Sequence, residues 1–236
     1  MLGGVGRNRK TALNPLKENM TNVLLNYYNF DGDWARPYLS KIFAPKPRVL
    51  ILPLAYREAQ AWDNVSFLSI YGKGGEKYDN ILKPFLSYGY AEQDIAWLNP
   101  YDGSDHLAEI QNADLLFFTG GMPEKAIARM HQLGIVYAVK HFKGTVMGAS
   151  AGAMLQLETY HITPDEDYDS YGVWQGLALV KGIDLEVHYL ATDIQKQCTA
   201  RAAKELGLPI YQMWHEGGLL IEEGKITVMG NVEVVK

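Results

Sequence analysis

The sequence predicts an α/β protein, a doubly wound and mostly parallel sheet flanked by helices, with a C-terminal β-hairpin. Three observations carry this. Short unbroken apolar runs at 48–52 (RVLIL) and 115–118 (LLFF) have the length and composition of strands buried on both faces. Strand-like and helix-like stretches alternate through the first 156 residues, the pattern of parallel strands joined by crossover helices. Turns of very small residues follow two of the strands directly, Thr119-Gly120-Gly121 and Gly148 to Gly152.

The elements follow in order. A first strand is expected over 22–28 (NVLLNYY), then a helix over 33–43 ended by Pro45 and Pro47. The RVLIL strand leaves through Pro53 and Leu54 at the sheet edge where ligands sit in such folds. The stretch 64–86 is mixed, broken at Gly72-Lys73-Gly74-Gly75 and then helical to about Leu86. A strand at 95–98 and a helix at 105–112 precede LLFF. Pro123 opens a helix, a position where proline is well tolerated, and a second helix spans 135–142. The central strand is Thr145 to Met147, and a helix starts at Ala153. Residues 157–182 read as irregular, with an acidic 164–169 (PDEDYD). Beyond them come an alternating strand at 184–189, a helix at 193–206 ended by Gly207, and an extended 209–214. The last pair of strands, 219–221 and 226–229, flanks the turn Glu222-Glu223-Gly224-Lys225.

Composition narrows the function classes. The 236 residues are 47% hydrophobic and 21% charged, enough for one sizeable core. The net charge of -5, with no basic run, gives no footprint for nucleic acid. The single cysteine, Cys198, excludes an internal disulfide and a cysteine-based zinc site. No apolar run reaches the roughly 18 residues of a membrane span, and a cytoplasmic location is expected. Residues 1–19 are basic and polar without a strong period, and read as a disordered or appended extension ahead of a start at Met20. Residues 20–236 read as one α/β domain.

The chemistry centres on 144–156, GTVMGASAGAMLQ. Strand, small-residue turn and helix form the context in which G-x-S-x-G presents a nucleophile, Ser150, and the amide of Ala151 lies beside it as an oxyanion donor. A serine needs a base within hydrogen-bond reach, and the base an orienting acid. Of the six histidines, His188 at the end of an apolar strand is favoured as base, with His161 and His215 as runners-up. A second oxyanion donor is expected from Thr119-Gly120-Gly121, where glycines let backbone approach a substrate.

These blocks, with His188-Tyr189 and the tail Gly207-Leu208-Pro209-Ile210-Tyr211 followed by Glu216-Gly217-Gly218, resemble the aspartyl dipeptidase (peptidase E) and cyanophycinase family of serine peptidases. The likeness covers about residues 20–236. It implies a flavodoxin-like fold related to class I glutamine amidotransferases, with serine in place of their cysteine, and no metal or organic cofactor. It implies Ser150 as nucleophile, His188 as base, and the amides of Gly121 and Ala151 as oxyanion hole. The acid falls on Glu216, the preferred position, or on Asp165, fifteen residues after the serine. Substrate contacts fall on Gly120, Met122 and Arg201. The chain departs from the family at Met122, where Asn or Gln is usual, and at 193–201, where only Lys196 and Arg201 could supply the positive charge of the family's arginine motif. Specificity for an N-terminal aspartate is therefore not expected. The reading is a serine peptidase for short or unusual peptides, without nucleic-acid or membrane partners and with a homodimer as the one assembly considered. The alternatives are another acyl hydrolase (esterase or amidase) and a non-catalytic ligand-binding protein of the same fold.

Overall fold

The structure, a computed structural model, describes residues 20–236; the expected 1–19 extension lies outside them. The sheet runs in the order β10-β9-β1-β5-β4-β2-β3. Its parallel heart is β1 (Thr21–Leu25), β5 (Thr145–Ala149), β4 (Leu115–Phe118), β2 (Val49–Leu52) and β3 (Ile95–Trp97). These strands are short and apolar because both faces are covered. Alternate residues feed separate cores. Val23, Ile51, Phe117 and Met147 face one side, packed with α1 (Arg36–Phe43), α2 (Asn64–Tyr71) and α3 (Tyr78–Ser87). Leu50, Leu116, Phe118 and Val146 face the other, against α4 (His106–Asn112), α5 (Pro123–Gln132) and α6 (Val136–Lys140). The sheet is therefore doubly wound, as expected.

The mixed stretch after β2 resolves into two helices. Asp63 and Ser66 form a reciprocal capping box that starts α2, and Gly72 to Gly75 separate it from α3. The stretch 157–182, expected to be irregular, contains regular structure: β6 (Thr159–Ile162) and β7 (Gly172–Gln175) form a separate antiparallel pair. Their alternation is hidden because β7 is largely exposed while β6 is buried. The expected strands at 209–214 and 219–221 are one long strand, β9 (Ile210–Glu222), which pairs with β10 (Lys225–Val235). The turn between them has both central residues at positive φ, Glu223 at 51° and Gly224 at 76°, the primed geometry that suits hairpin twist. At its other end β9 pairs with β8 (Asp184–Glu186) in parallel. Helix α8 (Asp193–Leu206) ends on Gly207 in the left-handed region, as the sequence indicated.

One buried ionic group ties β6 to β8. The His161 ring sits between two carboxylates, Nδ1 at 2.6 Å from Asp184 and Nε2 at 2.7 Å from Glu186, and all three residues are buried. Thr163 donates to the same Glu186 oxygen at 2.7 Å. Burial opposes the imidazolium, but the hydrogen bonds and charges of Asp184 and Glu186 outweigh it and push the pKa up to about 9. Because this folded value lies above the ordinary histidine value of about 6.5, the protonated ring stabilises the fold fully below about pH 6.5. That contribution is lost as pH rises through about 9. The melting temperature should accordingly decline across that window in scanning calorimetry, and His161→Gln should flatten this part of the decline. An unchanged slope in the variant would show that His161 is neutral in the fold.

Candidate active site

The carboxyl ends of β1, β4 and β5 lie side by side, and the residues that follow them form the floor of a cleft of about 700 Å³. After β5 the chain turns at once into the short helix α7 (Ala151–Met154). Ser150 makes the turn with φ 54° and ψ -119°, a conformation L-residues rarely adopt. Such a residue costs on the order of 1–3 kcal/mol, and surrounding structure must hold it. It is held at both backbone ends. Its amide donates to the Leu25 carbonyl at 2.9 Å, and its own carbonyl accepts from Ala153 and Met154. Gly148 and Gly152 pack so closely that a Cβ on either would run into the neighbouring backbone. This is why the turn is built of such small residues.

Ser150 Oγ lies 2.8 Å from Nε2 of His188, and both line the cleft. His188 does not end a strand, as the sequence suggested. β8 stops two residues earlier, and His188 sits in the left-handed region at φ 53°. Its amide donates to Asn26 Oδ1 at 2.6 Å, and its carbonyl accepts from Gln195 Nε2 at 2.9 Å. The ring packs on Tyr27, 4.4 Å between centroids, and Tyr27 in turn packs on His215 at 4.8 Å. Burial pushes the His188 pKa below the ordinary histidine value; the negative charge of Asp165 opposes this and His215 adds to it. The ring is therefore neutral at pH 7, the form that can accept a proton.

The Thr119-Gly120-Gly121 turn follows β4 beside Ser150. The Gly120 amide donates to the Tyr28 hydroxyl at 2.7 Å and the Met122 amide to the Ala55 carbonyl at 2.7 Å. Between them, the Gly121 amide has no partner among the described residues. Gly121 has φ 133°, and a Cβ there would strike the Ala55 carbonyl, so only glycine fits. The Ala151 amide, in the first turn of α7, is likewise without a partner among the described residues.

The other expected residues are placed less uniformly. Asp165 lines the cleft, on a loop where its carboxylate accepts from the amides of Asp167 and Tyr168, and Arg57 pairs with Asp167. Glu216 is exposed on β9 and makes no hydrogen bond to His188, whose Nδ1 is buried without a partner among the described residues. Arg201 does not line the cleft; it pairs with Glu205 at 2.7 Å and lies over the Tyr171 ring at 4.0 Å. Met122 caps α5 through its backbone and also stays out of the cleft lining. Among the runners-up, His161 has both nitrogens occupied by carboxylates and has none left for a substrate proton. His215 is exposed and packs on Tyr27, its ring centroid 4.8 Å away, with no hydrogen bond to Ser150. Among the described residues no group of three or more His, Cys, Asp or Glu side chains is arranged so that it could hold a metal ion, and no helix there is long and apolar enough to cross a membrane.

Asn26, Tyr27, Tyr28 and Gln195 escaped the sequence reading. Asn26 to Tyr28 looked like the end of the first strand, and an asparagine closing an apolar run was the available signal. Gln195 was legible as the fourth residue of a Thr192-x-x-Gln195 capping box, which forms, but its reach to His188 was not.

No protein-family model and no curated protein matches this sequence. Solved structures do. One, a protein of Listeria monocytogenes EGD-e assigned to peptidase E, is 16% identical, with 89% of this chain and 98% of its own aligned at a TM-score of 0.60. Another, a peptidase from an acI-B1 Actinobacterium, is also 16% identical, with 92% of this chain and 87% of its own aligned at a TM-score of 0.53. At this identity the likeness carries the fold: the chain has the mostly parallel, doubly wound α/β architecture of these peptidase E and peptidase structures.

Proposed function

We propose that the protein is a serine-type hydrolase acting on short peptides, with Ser150 as nucleophile and His188 as base. The observation that carries the reading is the 2.8 Å contact between Ser150 Oγ and His188 Nε2 at a strained strand-to-helix turn facing a cleft. The strain at Ser150 and the depressed histidine pKa both serve a nucleophile elbow, and neither is needed by a turn that only packs.

In this reading Ser150 Oγ attacks the substrate carbonyl as His188 Nε2 takes its proton. The amides of Gly121 and Ala151 receive the oxyanion, being donors that the fold leaves unused. The imidazolium then protonates the leaving amine, and water, deprotonated by the same ring, releases the acyl group. Asp165 is the better-supported acid: it shares the cleft with His188 and its charge favours the imidazolium. Catalytic hydrogen bonds are often long before substrate binds, so the unpartnered Nδ1 is compatible with that role. With Arg201 and Met122 outside the cleft lining, neither supports recognition of an acidic N-terminal residue. The peptidase names of the structural neighbours favour an amide substrate over an ester.

A fluorophosphonate probe should label Ser150, located by mass spectrometry, and the label should vanish in Ser150→Ala and His188→Ala. Absence of label on the wild type under conditions that label a known serine peptidase would sink the reading in favour of a ligand-binding protein. Gly121→Ala drives a Cβ against the Ala55 carbonyl and so displaces the donor amide; hydrolysis in a dipeptide library should slow by about 10²–10³-fold, the scale of losing one oxyanion donor. In the pH–rate profile the acid limb should fall below the ordinary histidine value of about 6.5. Asp165→Asn removes a charge that raises the His188 pKa, so the limb should move further down. The same variant should cost on the order of 10²–10⁴ in rate, while Glu216→Gln stays near wild type. The reverse ranking of the two variants would return the acid role to Glu216.

A further inference from the structure

A histidine base is ordinarily oriented through Nδ1. Here, among the described residues, Nδ1 has no partner and the ring's one hydrogen bond is to Ser150 itself. Beside its stacking on Tyr27, its orientation comes from the backbone that carries it, and that backbone is in the left-handed region, uncommon for a residue with a Cβ.

Both backbone polar groups of His188 are taken by side-chain amides. Asn26 Oδ1 accepts from the His188 amide at 2.6 Å, and Gln195 Nε2 donates to the His188 carbonyl at 2.9 Å. Each amide is itself fixed. Asn26 is fully buried; its Nδ2 donates to the Trp214 carbonyl at 2.8 Å and its backbone amide to Gly217. Gln195 is buried, and its Oε1 accepts from the Leu190 amide at 2.9 Å as well as serving the N-cap of α8. The paired amides bracket a single residue. Asn26 also follows Leu25, whose carbonyl holds the Ser150 amide.

We propose that Asn26 and Gln195 are positioning residues: together they hold His188 in its left-handed conformation and so set Nε2 on Ser150. The consequence for rate rests on the hydrolase reading above; the effect on the ring does not.

The test pairs two variants with two readouts. Asn26→Leu removes the acceptor. Gln195→Met removes the donor to His188 without adding a charge, and Thr192 Oγ1 still caps α8 through the backbone amide of residue 195. The readouts are the rate of fluorophosphonate labelling and the NMR titration of the His188 ring, assigned by its absence in His188→Gln. Both variants should label about 10²-fold more slowly, the scale of a displacement of about 1 Å, and the His188 pKa should rise toward the ordinary histidine value. Asn26→Asp, which keeps the acceptor, should restore most of the labelling rate. Wild-type labelling and an unmoved titration in folded Gln195→Met would overturn the proposal, and this variant decides alone if Asn26→Leu does not fold. If the wild type itself takes no label, the hydrolase reading fails, and the ring titrations still decide the positioning role.

Discussion

The parallel pairing of β5 between β1 and β4 is the constraint on which the rest depends. Thr145 to Ala149 lie in register with Thr21 to Leu25 on one side, and Thr145 to Gly148 with Leu115 to Phe118 on the other. Parallel strands deliver their carboxyl ends to one edge, so Ser150, Asn26 and Gly120 emerge together although about 120 residues separate the outermost two in the chain. Slippage of β5 by one residue would exchange Val146 and Met147 between the two cores and carry the serine out of line with its partners. The apolar packing of both sheet faces thus secures the register, and the register secures the site.

Energy is spent locally at that edge and recovered in the layers behind it. Ser150, His188 and Gly121 all occupy backbone conformations with positive φ. They are tolerated because each is flanked by fixed groups: the Leu25 carbonyl, the Asn26 and Gln195 amides, and the Ala55 carbonyl that receives Met122. The buried Asp184–His161–Glu186 group anchors the opposite wall. It joins β6 to β8 just ahead of His188 and so fixes the starting point of the loop that carries Asp165.

Much of this was legible in the sequence, for identifiable reasons. RVLIL and LLFF announced buried parallel strands because burial on both faces demands unbroken apolar runs. The glycine-and-alanine turn around Ser150 was legible because close backbone packing leaves room for nothing larger. His188 was legible only as a strand-end histidine; its left-handed backbone is imposed by Asn26, 162 residues away, and no local pattern encodes that. The β6–β7 pair was missed because one strand is buried and the other is not, which erases a common alternation. The pairing of His161 with two carboxylates was also invisible, since Asp184 and Glu186 looked like the polar half of an alternating strand. Arg201 was assigned by its place in a motif region, but α8 gives it Glu205 one turn on, and that neighbour holds it.

Four successive residues at the end of β1 each hold a different part of the site. Leu25 takes the serine amide, Asn26 the histidine amide, Tyr27 the histidine ring, and the Tyr28 hydroxyl the Gly120 amide. A single short segment is thus the common datum from which Ser150, His188 and the Gly120-Gly121 turn are all measured. Thermal displacement of β1 carries them as a set: it is common-mode motion that cancels in their separations. What the fold protects against fluctuation is the spacing among these three groups and not their absolute position. By the same logic the three groups are not independently adjustable, since an alteration in this segment that improved one distance would be felt at once by the other two.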